Sequence, residues 1–210
     1  MLAQRATQAP DGAAHPSVVV PDVVSAMGQI AAAILDRVRA HSETTVIGIT
    51  GSAGKTTTKD LLKSILEPEG PTVAPQGSYN GEVGVPLTIF TAELQTRYLV
   101  VEMGADAPGN IRDLAQMVRP DIGAVLMVGS AHAGKFGGAD KIAAVKAELV
   151  EEIGADGAWC STATTPRSPP WHSPPRLRSP GSAKPPVSPR RTRPPRESAS
   201  TRPSRIRCAR

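Results

Sequence analysis

Val46-Ile-Gly-Ile-Thr-Gly-Ser-Ala-Gly-Lys-Thr-Thr-Thr58 reads as a buried strand, a glycine loop and the start of a helix. Backbone N–H groups in such a loop, together with a helix N-terminus, form an anion site. Lys55 is placed to reach the β- and γ-phosphates of a nucleotide, and the Thr56 hydroxyl to ligate Mg²⁺. The general phosphate-loop pattern has a glycine five residues before Gly54, where this chain has Ile49, so the loop is a shortened form, Thr-Gly-x-x-Gly-Lys-Thr. The bland alternative is a glycine turn with a solvated lysine. The position of Gly-Lys-Thr, where strand hands over to helix, argues against it. The candidate nucleotide-binding residues are therefore Gly51, Ser52, Ala53, Gly54, Lys55, Thr56 and Thr57.

The flanking sequence alternates strand and helix patterns. Residues 1–17 show no periodicity and read as a frayed entry, followed by the short apolar run Val18–Val20. Pro21-Asp22 opens a helix whose apolar face includes Val24, Met27, Ile34, Leu35 and Val38. Strands are predicted at 45–50, 72–74, 97–102 and 122–128. Helices are predicted at 56–66, 85–92, 111–118 and 139–153, with residues 76–84 as loop. This alternation predicts an α/β fold with a mostly parallel sheet covered by helices on both faces. Ligands in such sheets bind at the carboxyl ends of the strands, where the informative motifs lie.

The chain has 210 residues and a formal net charge of +5, which conceals a split. Residues 166–210 hold 12 of the 24 Lys and Arg, one of the 19 Asp and Glu, and 12 of the 21 prolines. The remainder is acidic. The basic segment has few apolar residues and no period, so it is expected to be a disordered tail. No apolar run is long enough to span a bilayer, and no signal-peptide pattern opens the chain. Cys160 and Cys208 offer no disulfide framework. These features predict a cytoplasmic, non-membrane, monomeric protein with no specific nucleic-acid partner.

Five further residues stand out. Glu102, in Tyr98-Leu-Val-Val-Glu-Met-Gly104, puts a carboxylate at the end of a buried strand, which requires either backbone N–H partners or a metal. His132 follows the 122–128 strand, where a lone histidine is usually structural. Lys146, in Ile142-Ala-Ala-Val-Lys-Ala-Glu148, reads by itself as a surface lysine pairing with Glu148. Ser78-Tyr-Asn-Gly-Glu-Val-Gly84 contains Asn80 and Glu82, and is either an Asn-Gly turn or part of a ligand site.

Taken in order, these motifs resemble the Mur ligases, which join amino acids to the nucleotide precursor of peptidoglycan. Ser52-Ala53 and Lys59-Asp60 are most similar to the branch that adds D-alanyl-D-alanine. The resemblance runs from about Val18 to Asp156. It implies a remnant of a UDP-sugar domain and linker helix over 1–40, the first half of a central ATPase domain over 41–157, and a tail over 158–210. The implied reaction uses ATP to activate the terminal carboxylate of UDP-MurNAc-tripeptide as an acyl phosphate, which the D-alanyl-D-alanine amine attacks. By resemblance, Thr56 and Glu102 hold one Mg²⁺, His132 and a carbamylated Lys146 hold a second, and Asn80 and Glu82 face substrate. Lys55, Lys146 and His132 are the implied catalytic residues.

The family's Asn-x-Asp-Asp segment, which holds the adenine and ribose, is missing after Gly157, so the resemblance implies a partial and inactive chain. Back-translation of 158–166 from the third base of the Ala158 codon permits Val-Val-Leu-Asn-Gly-Asp-Asp-Pro. Continuing through 172 permits Ala-Val-Ala-Ala-Met-Ala. A one-base shift near Ala158 is therefore expected, with the tail out of frame. Two other functions remain open on these residues: a non-catalytic nucleotide-binding remnant, and nucleic-acid binding through the basic tail.

Overall fold

The computed structural model describes residues 1–128 and 139–161. Its centre is a five-stranded, wholly parallel sheet in the order β4-β5-β3-β6-β7. The strands are β3 (Thr45–Thr50), β4 (Thr72–Val73), β5 (Tyr98–Glu102), β6 (Ile122–Val125) and β7 (Ala158–Ser161). The helices are α1 (Val23–His41), α2 (Lys55–Leu66), α3 (Gly84–Ile89), α4 (Asn110–Val118) and α5 (Ala139–Glu151). Successive residues of a strand point to opposite faces, and the core divides accordingly. Val46, Leu99, Val101 and Val125 pack with α1, α3, α4 and α5 on one face. Ile47, Ile49, Val100 and Ala124 pack with Leu62 and Leu66 of α2 on the other.

β3 lies at the middle of the sheet. From it the chain builds β4 and β5 on one side, then crosses to build β6 and β7 on the other. The carboxyl ends of β3, β5 and β6 therefore meet at the point where the winding reverses, the usual crevice of an open parallel sheet.

Helix α1 begins at Asp22, whose carboxylate accepts from the Val24 and Ser25 N–H groups at 3.2 and 3.1 Å. Its Ala31, Leu35 and Val38 enter the main core. At its far end the Arg39 guanidinium donates to both Asp121 oxygens, at 3.3 and 3.1 Å, and Asp121 Oδ2 also accepts from Val46 N–H at 2.7 Å. The helix that the resemblance assigns to a preceding linker is thus built into the sheet's own core.

The structure departs from the sequence reading in several places. Residues 1–17 are not frayed: β1 (Leu2–Ala3) pairs in parallel with β2 (Val18–Val19), and Gln8 bridges Ala14. Two-residue strands pair through backbone alone and leave no side-chain period to read. The 122–128 strand stops at Val125, and the helix expected at 85–92 stops at Ile89, where turn hydrogen bonds from Thr91 and Ala92 take over. The sheet continues through Ser161, past the expected tail boundary at 158. The tail's expected disorder concerns residues outside those described. No helix of the described residues is long and apolar enough to cross a membrane.

Candidate functional site

The loop after β3 owes its shape to two glycines. Gly51 has φ +155°, and a Cβ there would lie 2.7 Å from the Leu126 side chain. Gly54, at φ +84°, is the residue preceding α2. Both conformations favour glycine. The loop is tied to the end of β6 by the Ser52 N–H bond to the Met127 carbonyl, at 2.8 Å. Thr58 N–H bonds back to Gly54, so the first-turn N–H groups of α2 have no intrahelical acceptor. The Lys55 amine folds onto the Gly51 carbonyl at 3.0 Å.

A pocket of about 380 Å³ opens over this loop, with Ser52, Lys55, Asn80, Glu82, Asp106 and Lys146 among its lining residues. Beneath it lies Glu102, only 1% exposed at the end of β5. One carboxylate oxygen accepts from the Thr56 hydroxyl at 3.0 Å, the other from the Asn80 amide at 2.9 Å. Asn80 is fixed again through its carbonyl, which accepts from Gly104 N–H at 2.7 Å. A Cβ on Gly104 would come within 2.8 Å of Asn80 Oδ1, so the close approach requires glycine.

Lys146 projects from α5 and is 6% exposed. Among the described residues its amine makes no hydrogen bond or ion pair. Burial, then the nearby Lys55 ammonium, lower its pKa from 10.5 to about 8, against the weaker pull of Glu148 and Asp106. The pairing with Glu148 suggested by sequence does not form. Both Glu148 oxygens instead accept backbone N–H groups at the start of α4, from Gly109 at 2.7 Å and Arg112 at 3.0 Å.

The structure thus brings together the nucleotide-loop residues, Glu102, Asn80, Glu82 and Lys146. His132 lies outside the described residues. The Asn80 side chain donates to Glu102, and Glu82 of the same loop also lines the pocket. Asp106 lines the pocket, while Glu148 and Lys59 hold neighbouring backbone segments; sequence reasoning assigned none of the three to the site. Asp106 lies two residues beyond the Glu-Met-Gly triplet, within the same strand-end segment. Lys59 and Glu148 are distinguished only by burial, which no local pattern reveals.

Among the described residues no group of three His, Cys, Asp or Glu side chains is placed to hold a metal. Mg²⁺ needs no such cage. It commonly takes one or two carboxylates and completes its shell with water and substrate phosphates. Glu102 with the Thr56 hydroxyl is a donor set of that kind.

Residues 49–172 match the family model described as the Mur ligase middle domain. A UDP-N-acetylmuramoyl-tripeptide–D-alanyl-D-alanine ligase of Mycobacterium bovis is 46% identical over 144 residues, 69% of this chain and 28% of that protein. The Bacillus subtilis protein of the same name is 34% identical over 68% of this chain and 30% of its own length. The fold is similar to MurF from Acinetobacter baumannii, with TM-score 0.69 and 35% identity over 76% of this chain and 34% of that one. It is also similar to MurF ligase from Thermotoga maritima in complex with ADP, with TM-score 0.65 and 32% identity over 76% and 36%. The chain spans less than a third of the length of these curated relatives.

Proposed function

The chain belongs to the Mur ligase family, and from that membership we propose that it carries the phosphate-handling part of an ATP-dependent amide ligase of peptidoglycan precursor synthesis. The proposed reaction adds D-alanyl-D-alanine to UDP-MurNAc-tripeptide. The observation that carries this reading is a pocket lined by Lys55, Asn80 and Lys146, in which Asn80 is bonded to the Glu102–Thr56 pair and the buried Lys146 amine has no partner among the described residues.

Each residue then has a task. The loop N–H groups and the α2 N-terminus bind the phosphate chain, and Lys55 draws the γ-phosphoryl group toward the acceptor. The tripeptide's terminal carboxylate oxygen takes the γ-phosphoryl and ADP leaves. The dipeptide amine then attacks the acyl carbon, expels phosphate and loses a proton. Such a reaction depends mainly on positioning and on stabilising developing charge.

Glu102 and Thr56 would hold one Mg²⁺, which neutralises charge on the transferring group when bound. Lys146 would complete a second site with His132. Its low-pKa amine is suited to adding CO₂: the neutral nitrogen bonds to carbon, a proton leaves, and the cation becomes an oxygen-bearing anion. That conversion removes the repulsion an unmodified lysine would exert on a nearby cation. Glu82 is the proposed substrate contact from the Asn80 loop.

Calorimetric titration of the 210-residue chain with ADP and ATP, with and without Mg²⁺, tests the reading. Saturable binding that Mg²⁺ strengthens is expected. Lys55→Ala should abolish it, and Glu102→Gln should remove the Mg²⁺ effect while sparing metal-free binding. Failure of the wild-type chain to bind either nucleotide would sink the proposal. The chain by itself is expected to form no amide product from tripeptide, dipeptide and ATP, and product formation would refute that expectation.

We also propose that the reading frame changes near Ala158. β7 occupies the strand position beside β6, yet it does so with Ala-Trp-Cys-Ser, in which Trp159 is only partly buried and Cys160 exposed. The shifted frame permits Val-Val-Leu-Asn there, a better strand sequence. Sequencing the coding DNA decides between them: a shifted frame with no Asn-x-Asp-Asp segment and no ligase sequence beyond it refutes the proposal.

A further inference from the structure

Lys59 and Asp60 follow the phosphate loop, and the reaction as described leaves Lys59 without a task. Lys59 is 3% exposed. Its amine donates to the Pro75 carbonyl at 2.9 Å and lies 2.5 Å from Asp60 Oδ1. Asp60 itself is mostly solvated, its side chain 63% exposed. Taking an ammonium out of water is costly, and an apolar side chain of similar length would fill the same space without that cost. Stability by itself is therefore a poor account of a lysine here.

The Pro75 carbonyl supplies a better one. Pro75 is buried and is followed by four exposed residues, 76–79. The chain is then caught again at Asn80, by Glu102 and Gly104, and Glu82 reaches the pocket. Thr56 and Lys59 are three residues apart on α2, so they project from one face of that helix. Thr56 holds the Asn80 end of the segment through Glu102, and Lys59 holds its Pro75 end directly. The helix that follows the phosphate loop thereby fixes both ends of the segment.

We propose that Lys59 is a positioning residue: it anchors Pro75 so that Asn80 can hold Glu102 in its metal-binding orientation and Glu82 can face substrate. This rests on the reading of the pocket as a nucleotide–Mg²⁺ site, so the test has two separable arms.

Both arms use the full chain, Lys59→Met, Lys59→Gln and Lys59→Arg. The first arm follows amide hydrogen exchange at Gly104 and Val85, which donate to the Asn80 and Gly81 carbonyls. The second measures ADP affinity with and without Mg²⁺. Lys59→Met is expected to speed exchange at these two amides at least tenfold while the β3 and β5 amides stay protected. It should also remove most of the Mg²⁺-dependent gain in ADP affinity and leave metal-free binding within about twofold. Lys59→Arg should restore much of both.

Wild-type exchange at Gly104 and Val85 in Lys59→Met overturns the proposal. So does loss of protection throughout the sheet in both Lys59→Met and Lys59→Gln, which would make the residue a core strut. If the wild-type chain binds no ADP, the nucleotide reading fails, and the exchange arm still decides whether Lys59 anchors the segment.

Discussion

The Lys146 amine is buried beside a second cation, with no acceptor among the described residues. Its native pKa of about 8 lies below the unfolded value of 10.5. Between those values the unfolded chain binds more protons, so this residue makes stability rise with pH across that window; below about pH 8 its charged form carries the full burial cost. Lys146→Met should therefore stabilise the fold at pH 7, by an amount on the order of 2 kcal/mol. The advantage should shrink toward zero by pH 10–11. Urea denaturation at both pH values in CO₂-free buffer measures it, and an equal effect at both would show that the cause is packing and not charge. Lys55, Thr56 and Glu102 were legible in sequence because each sits at a fixed offset from a strand end. The placement of Lys146 on the pocket was anticipated only through family resemblance, since helical spacing by itself assigned it to the surface. Glu148 and Lys59 were not legible, because their partners are backbone groups 36 or more residues away for Glu148 and 16 away for Lys59.

Helix α4 shows how one element supports the pocket wall supplied by another. Its start carries no capping side chain of its own. Glu148 of α5 fills that role, while Asn110 Oδ1 accepts from the Asp106 and Ala107 N–H groups at 3.1 and 2.8 Å. The 104–110 loop, with Asp106 on the pocket, is thus pinned between two helices. Removing a buried acceptor from two backbone donors costs more than breaking an exposed ion pair. Glu148→Ala should lower stability by about 2 kcal/mol, whereas Glu151→Ala, which loses the solvated pair with Arg112, should cost no more than about 0.5 kcal/mol. Parallel urea melts compare them; equal losses would mean that Glu148 does not cap α4. The longer elements followed directly from apolar periodicity, because burial on one face of a helix or both faces of a strand leaves a repeat. β1, β2 and β7 left none, since they are held by backbone pairing at the edges of their sheets.

At the scale of the molecule, α1 decides how many cooperative units there are. The family resemblance sets residues 1–40 apart from the ATPase domain, yet Ala31 and Leu35 are fully buried in the same core as Val46 of β3 and Leu149 of α5. A core shared in this way should unfold once. Leu35→Ala removes a wholly buried side chain and should cost about 3 kcal/mol, shifting a single transition without splitting it. Leu35 is not among the residues lining the pocket. Its effect and that of ligand should therefore add, as distant perturbations do. ADP with Mg²⁺ at about one hundred times its dissociation constant should raise the stability of both wild type and Leu35→Ala by about 2.7 kcal/mol. Chemical denaturation followed by circular dichroism and by ligand release tests both points. Two separated transitions, or a variant that the ligand no longer stabilises, would show that α1 is an independent unit or that the linker helix and the phosphate site are coupled.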